Sequence, residues 1–311
     1  MKITPLQGKI NEFSPSCALK MNESMGKHTS FRIGGEAEIM AFPKNTDELA
    51  EILKISRLLD CKCRILGAGT NVLAPDEGVE GIVICLKDGL NDIKLLENNR
   101  FQVFSGVTMT RAAVFAANAG LSGMEFAHGI PGTVGGGVYM NAGAYGGEMK
   151  DVLHSVTAMD MEGNTHVYTR EELALGYRHS ALMHTGHIVT SATVVLRPGD
   201  SDTIRTAMRE FIQRRRQKQP IHLPSCGSTF KRPEGHFAGT LIEGCGLKGF
   251  RIGGASVSEL HAGFLVNDGE GTAADYLALI AHVQKTVFDK HGVRLEPEVR
   301  ILGEEAPLTA L

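Results

Sequence analysis

Gly129-Ile130-Pro131-Gly132-Thr133-Val134-Gly135-Gly136-Gly137, resuming three residues later as Asn141-Ala142-Gly143-Ala144-Tyr145-Gly146-Gly147, is a long glycine tract without a single charged side chain. Glycine permits positive φ and lets consecutive backbone N–H groups converge on phosphate oxygens as an anion-binding nest. Pro131 stiffens the loop and lowers the entropy lost when a ligand binds. A mobile surface loop would carry Ser, Lys and Glu where this tract carries Ile, Val and Met. The tract is therefore read as a cradle for a buried dinucleotide pyrophosphate. A second glycine stretch precedes it: a short strand, Cys63 to Leu66, runs straight into Gly67-Ala68-Gly69-Thr70-Asn71. This is not a Rossmann fingerprint, because Val72 stands where the third glycine belongs and no acidic residue follows at the usual distance. Nor is there a Walker A loop. Alone, Gly67-x-Gly69 would be a tight turn.

The rest of the composition narrows the class. The chain has 311 residues and 33.5 kDa, room for two or three domains. Its 37 glycines are the outlier, since an ordinary chain of this length would hold roughly 7%. Hydrophobic residues at 42% and charged residues at 22% describe a globular protein and exclude a disordered one. The balance of 32 Lys+Arg against 35 Asp+Glu, a net charge of −3, is too neutral for a dedicated nucleic-acid or membrane-surface protein. Residues 1–16 show no basic patch followed by an apolar run, and no apolar stretch reaches the ~18 residues of a membrane span. Six scattered cysteines (17, 61, 63, 85, 226 and 245) favour a reduced, cytoplasmic protein. Metal is not expected. Cys61-Lys62-Cys63 has no second pair, and the H-x-x-H of His184 and His187 lacks a glutamate or third ligand.

Periodicity places these loops in an α+β chain. Asn45 or Thr46 caps a helix carrying Leu49, Ile52, Leu53 and Leu59, and Thr110 to Ala119 is a second helix stopped by Gly120. Strands are expected at 81–86, 101–105, 152–160, 165–168 and 188–196. Arg197-Pro198-Gly199-Asp200 precedes an amphipathic helix over 201–216. A well-marked helix covers Ala273 to His291, with Thr272 as cap, Asp275 at the capping-box position, and Leu277, Ile280, Val283 and Val287 as its apolar face. A domain boundary is placed near residue 200.

Several motifs together closely resemble the UDP-N-acetylenolpyruvoylglucosamine reductases, FAD enzymes that make UDP-N-acetylmuramate for bacterial peptidoglycan. They are Thr29-Ser30-Phe31-Arg32-Ile33-Gly34-Gly35, the 67–71 loop, the 129–147 tract, Gly176-Tyr177-Arg178-His179-Ser180, Gly227-Ser228-Thr229-Phe230-Lys231 and Leu295-Glu296-Pro297-Glu298-Val299-Arg300. The resemblance spans nearly the whole chain in the family's order. It implies a vanillyl-alcohol-oxidase-type FAD region of two subdomains, 1–87 and 88–200, plus a smaller α+β substrate domain, 201–311, whose last residues return to the FAD region. The short interval from Arg178 to Ser228 resembles the compact variety that lacks a tyrosine-bearing insertion. The implied FAD contacts are Arg32, Gly67, Ala68, Gly69, Thr70, Asn71, Gly129, Ile130, Pro131, Gly132, Thr133, Gly135, Gly136, Asn141, Gly143 and Ala144. FAD is expected to be non-covalent, although His128 stands before Gly129 where the family commonly has Ala.

The reaction implied is reduction of an enolpyruvyl ether to a lactyl ether, with NADPH as hydride donor through FAD. It needs fixed donors where charge accumulates on the carboxylate and a proton source at the neighbouring carbon. A guanidinium binds a carboxylate through two parallel hydrogen bonds and stays charged, which suits Arg178. Ser228 suits proton delivery, because a carbanion is basic enough to take a hydroxyl proton. Glu298 suits charge stabilisation in its protonated form. The family's matching Arg, Ser and Glu hold these catalytic roles. Lys218 matches a lysine that meets the UDP diphosphate, Lys231, in the Ser228 motif, is expected as a further substrate contact, and His261 and Asn267 fall in a region lining the sugar site. Arg232 stands where some members have Asn. The 214–218 basic run is otherwise a helix C-terminus that complements the helix dipole. The partner expected is a small UDP-sugar bound by a monomer, with neither nucleic acid nor membrane. The competing readings are an FAD oxidase of the same fold and a non-catalytic nucleotide-sugar binder.

Overall fold

A computed structural model describes residues 3–13, 16–87 and 89–303. The 87/88 subdomain boundary and the tail after residue 303 thus touch residues outside the described set. The described residues fall into two compact units. One comprises those within Met1–Met21, Ile39–Ala68 and Gly81–Arg214; the other comprises those within Asn22–Glu38, Gly69–Glu80 and Arg215–Leu311. Along the chain the last change of unit falls between Arg214 and Arg215, inside the helix Ser201–Lys218.

The first unit contains two cores. In one, a four-stranded sheet is ordered Ala18–Ser24, Glu36–Phe42, Val79–Cys85, Cys63–Leu66. The last two strands are parallel, with Leu66 opposite Cys85. Against it lies the helix Thr46–Leu58, whose Leu49, Ile52, Leu53 and Ile55 are buried at the 3–4-residue spacing of one helical face. Asn45 starts this helix by accepting the Glu48 N–H at 2.9 Å. The other core belongs to a five-stranded antiparallel sheet ordered Thr165–Thr169, Leu153–Met159, Ile188–Val195, Arg100–Phe104, Ile93–Leu95. Ala112, Ala113, Ala116 and Ala117 of the helix Met109–Asn118 fill it with small side chains.

The second unit is built on a four-stranded antiparallel sheet ordered Ser225–Ser228, Phe264–Asn267, Ala255–Val257, Arg251–Ile252. Its long helix, Ala273–His291, has the expected bounds and the expected Thr272/Asp275 capping box. The buried face differs. Tyr276 and Leu279 join Ile280, Val283 and Val287 inside, while Leu277 is half-buried. Tyr276 is fully enclosed against the Phe31 ring and donates its hydroxyl to the Leu265 carbonyl. The last described strand, Arg300–Ile301, lies parallel to Val72–Leu73, just after the 67–71 loop.

Candidate functional site

In the first unit, Gly67 and Ala68 leave the end of a strand beside Thr133. A Cβ on Gly67 would come within 2.6 Å of the Thr133 Oγ1, so only glycine allows the approach. Thr133, 3% exposed, caps the short helix Val134–Tyr139, accepting from Gly136 N–H at 3.5 Å. The loop before it is pinned on both sides. Met109 N–H donates to the Gly132 carbonyl at 3.0 Å, and Val134 and Gly135 donate to the Val107 and Ser105 carbonyls at 2.8 and 2.9 Å. Gly129 N–H reaches Thr110 Oγ1 at 3.2 Å, and Ile130 N–H reaches the Ala127 carbonyl at 3.1 Å. What remains is a donor set. The N–H groups of Gly67, Ala68, Gly132 and Thr133 donate to no acceptor among the described residues. Two adjoining loops with four unused backbone donors suit a diphosphate, because each oxygen takes an N–H without a side chain having to be ordered. These residues fit the pyrophosphate of a dinucleotide such as FAD.

Other parts of the tract differ from the expected loop. Gly135, Gly136 and Gly137 are helical and have no positive φ. Gly135 and Gly137 are glycine for close packing, since a Cβ would meet Ser105 Cβ at 2.8 Å and Met109 Sδ at 2.7 Å. Gly143 and Ala144 form a two-residue strand paired with Gly147–Glu148. Asn141 was expected among the cofactor contacts, but its side chain is spent inside the fold. It is completely buried; Nδ2 donates to Glu148 Oε2 at 2.7 Å and to the Gly176 carbonyl at 2.9 Å, while Oδ1 accepts Lys150 N–H at 2.9 Å. Next to Gly129, burial pushes His128 below the ordinary imidazole value, and its Nδ1 has no hydrogen-bond partner among the described residues.

The Gly176 carbonyl held by Asn141 opens the turn that carries Arg178. Gly176 and His179 exchange backbone hydrogen bonds at 3.1 and 3.2 Å, and Arg178, between them, has φ +52°. A non-glycine residue in that region is strained by about 1 kcal/mol. The guanidinium lies 5.0 Å from the Tyr177 ring centroid and 3.5 Å from the Gly143 carbonyl. Sequence reasoning assigned Arg178 but gave no sign of this strain or of Asn141 beneath it.

In the second unit, Ser228 and Glu298 are brought together. Ser228 ends a strand with an extra residue opposite its partner: Ser225 faces Val266 and Ser228 faces Phe264, so Cys226–Gly227 bulge, with Gly227 at φ +76°. Thr229, the next residue, turns inward and accepts Leu265 N–H at 3.2 Å. Ser228 is exposed, and its hydroxyl has no hydrogen-bond partner among the described residues. Glu298 N–H donates to the Thr229 carbonyl at 2.8 Å, and Lys231 N–H to the Glu296 carbonyl at 2.8 Å, so residues 296–298 run beside 229–231. The Lys231 ammonium pairs with Glu296. Asn71 Nδ2 holds the Glu298 carbonyl at 3.0 Å, and Asn71 also accepts Arg300 N–H at 3.1 Å through its own carbonyl.

Gly69 is wedged against the His28 carbonyl. Ser30, which the sequence did not single out beyond its motif, ties this corner with one hydroxyl. It lies 2.6 Å from the Ser225 carbonyl and 3.3 Å from that of Gly69. Burial pushes the neighbouring Cys226 thiol well above its ordinary value, so it is inert. Arg32 is exposed, at φ +58°. Lys218 is exposed at the end of its helix. His261 accepts Gly263 N–H on Nδ1 at 3.1 Å, which leaves its proton on Nε2, and burial lowers its pKa. Asn267 is 2% exposed, with Nδ2 on the Phe31 carbonyl at 2.9 Å and Oδ1 on the Gly269 and Gly271 N–H groups at 3.0 and 2.9 Å. Its amide shapes the fold. Among the described residues no group of three His, Cys, Asp or Glu comes together to hold a metal.

Comparison with known proteins bears on both units. Residues 37–169 match an FAD binding domain family, and residues 219–302 match the family described as "UDP-N-acetylenolpyruvoylglucosamine reductase, C-terminal domain". A UDP-N-acetylenolpyruvoylglucosamine reductase of Agathobacter rectalis is 46% identical over 95% of this chain and 97% of its own length. One from Syntrophomonas wolfei is 44% identical over 96% of this chain and all of its own. The crystal structure of a UDP-N-acetylenolpyruvylglucosamine reductase from Thermus caldophilus superposes with a TM-score of 0.76 at 34% identity, covering 92% of this chain and 98% of that one.

Proposed function

The chain belongs to the UDP-N-acetylenolpyruvoylglucosamine reductase family, FAD-dependent oxidoreductases of peptidoglycan precursor synthesis, and from that premise we propose how its own residues carry out the reduction. The substrate is the enolpyruvyl ether of a UDP-sugar and the product UDP-N-acetylmuramate. FAD held by the chain would supply the hydride chemistry, taking the hydride of NADPH for delivery to the vinyl methylene carbon. The chain's part is to hold the FAD diphosphate on the Gly67, Ala68, Gly132 and Thr133 N–H groups, to stabilise the charge that develops on the substrate carboxylate, and to protonate the neighbouring carbon.

Ser228 delivers that proton. The observation that supports it most directly is an exposed hydroxyl, unpartnered among the described residues, on a strand end fixed on both sides. A preorganised donor needs no rearrangement at the moment of transfer. Glu298, held beside this strand, stabilises the developing charge in its protonated form. Arg178 binds the substrate carboxylate, a role supported by family resemblance and by a strained backbone of the kind that collects at functional sites. Lys218 meets the diphosphate of the nucleotide, Lys231 is a further substrate contact, and the Nε2–H of His261 meets the sugar. Asn141 and Asn267 act by positioning backbone. The proposal includes a cytoplasmic monomer without nucleic-acid or membrane partners; no helix among the described residues is long and apolar enough to cross a membrane.

The test is anaerobic. NADPH should bleach the flavin of the purified protein, and the enolpyruvyl nucleotide sugar should restore its colour. Restoration by oxygen alone would make the protein an oxidase. Ser228→Ala should keep the NADPH half-reaction and slow the second by about 10²-fold or more; equal rates would remove Ser228 from proton transfer.

A further inference from the structure

The H-x-x-H of His184 and His187 is not a chelating pair, because each histidine has a different partner. His187 Nδ1 lies 2.7 Å from the Tyr168 hydroxyl, and its ring packs on His166. His184 instead faces His179, the two Nε2 atoms sharing a hydrogen bond at 3.4 Å that a bound metal ion would replace. Two imidazole nitrogens bound to one tetrahedral Zn²⁺ at ~2.0–2.1 Å stand about 3.3 Å from each other. The pair already has that spacing.

A second observation points the same way. His179 Nδ1 lies 3.3 Å from the Ala174 carbonyl, which can only accept, so the proton of His179 sits on Nδ1 and its Nε2 lone pair faces His184. A backbone carbonyl fixing the far nitrogen is the usual support of a metal-bound histidine. The Ala174 backbone is itself held at φ +44°. Both rings are at the surface, where water can complete the coordination.

We propose that His179 and His184 form a two-histidine site for a late first-row divalent metal (Zn²⁺, Ni²⁺ or Cu²⁺, not Mg²⁺ or Ca²⁺) that fastens the Arg178 turn to the helix Leu182–Thr185. Neutral imidazoles select these metals over the oxygen-seeking ones. His179 closes that turn through its exchange of hydrogen bonds with Gly176, and Arg178 lies between them. An ion bridging His179 to His184 therefore restrains the guanidinium's backbone. The binding part of the proposal does not depend on the reductase reading; the consequence for turnover does.

The test titrates ZnCl₂, NiCl₂ and MgCl₂ calorimetrically into the full-length, FAD-loaded protein and its His184→Ala and His184→Gln variants. Because the chain has six cysteines, the difference between parent and variants is what is read. The parent should bind one more equivalent of Zn²⁺ and Ni²⁺ than either variant, or bind it at least tenfold more tightly, and Mg²⁺ should give no heat. Identical isotherms in parent and variants overturn the site. In turnover assays, Zn²⁺ should inhibit the parent and spare His184→Ala. Equal inhibition of both overturns the link to the Arg178 turn while leaving the reductase reading intact, and an inactive parent that still shows the calorimetric difference condemns that reading and not the site.

Discussion

Gly69 and the glycines at 135–137 look alike in sequence and are glycine for different reasons, while Gly67, pressed on the Thr133 hydroxyl, sides with the latter. Gly69 has φ +61°, and a Cβ on it would fall 2.0 Å from the His28 carbonyl oxygen. Both its conformation and its backbone neighbour forbid a side chain. Gly135 and Gly137 have ordinary helical backbones, and only the closeness of Ser105 and Met109 keeps them small. Gly136 has neither reason. It is exposed, and its Cβ would stand 3.8 Å from Thr133 Oγ1, an ordinary contact. Glycine richness therefore does not by itself mark a ligand loop. For Gly136, beside the unused N–H groups of Gly132 and Thr133, we propose that the missing side chain leaves room for the cofactor.

Substitutions by alanine break this comparison in graded steps. Gly69→Ala should be the most damaging, because neither φ nor a backbone oxygen can yield; a loss of roughly 3 kcal/mol or more is expected, read by urea denaturation together with loss of retained flavin. Gly137→Ala meets only a flexible thioether. Overpacking of about 1–3 kcal/mol is offset in part by about 0.5–1 kcal/mol of helix preference, so a net loss near 1 kcal/mol should appear in the same experiment. If Gly137→Ala proved as harmful as Gly69→Ala, the packing reason assigned to it would be wrong.

These distinctions explain what the sequence could and could not disclose. The helices Thr46–Leu58 and Ala273–His291 and the strand Cys63–Leu66 were legible because capping residues and periodicity are local. The helix Val134–Tyr139 was not. Three glycines in six residues argue against a helix on propensity, and the contacts that favour it come from Ser105 and Met109, about thirty residues earlier. The strand pairing of Arg300–Ile301 with Val72–Leu73 is equally non-local, and it carries residues 69–80 into the C-terminal unit. At the candidate site, residue types pointed to Arg178, Ser228 and Glu298. The strain at Arg178, the internal spending of the Asn141 and Asn267 amides and the bulged strand ending at Ser228 all depend on residues distant in sequence or on backbone angles, and residue types do not disclose them.

Gly136→Ala sharpens the comparison because its two effects should have opposite signs. An exposed helical glycine replaced by alanine should stabilise the protein freed of flavin by up to about 1 kcal/mol. If the residue is glycine so that FAD can approach, the same change should weaken FAD binding by about tenfold, since a methyl group would occupy the path of the ligand. Flavin titration of the apoprotein measures one effect and thermal unfolding the other. A gain in stability with unchanged affinity would remove Gly136 from the cofactor contacts.

The smallest expected effect lies at His128, the residue that leads into the 129–147 glycine tract. Burial disfavours its charged form and depresses its pKa in the folded chain. The unfolded chain, whose imidazole keeps an ordinary pKa of about 6.5, therefore takes up the proton first as pH falls. Stability is retained above that value, declines as pH drops through it toward the folded pKa, and levels off below. His187 and His261 are depressed by burial as well and add to the same acid limb, so the contribution of His128 must be read as a difference. His128→Asn should make the fall in melting temperature between pH 7 and pH 5 shallower than in the parent while leaving the neutral-pH value nearly unchanged. Parallel curves would mean that the tract's leading residue is no less solvated than a free histidine, and that the cradle it enters is wetter than its packing implies.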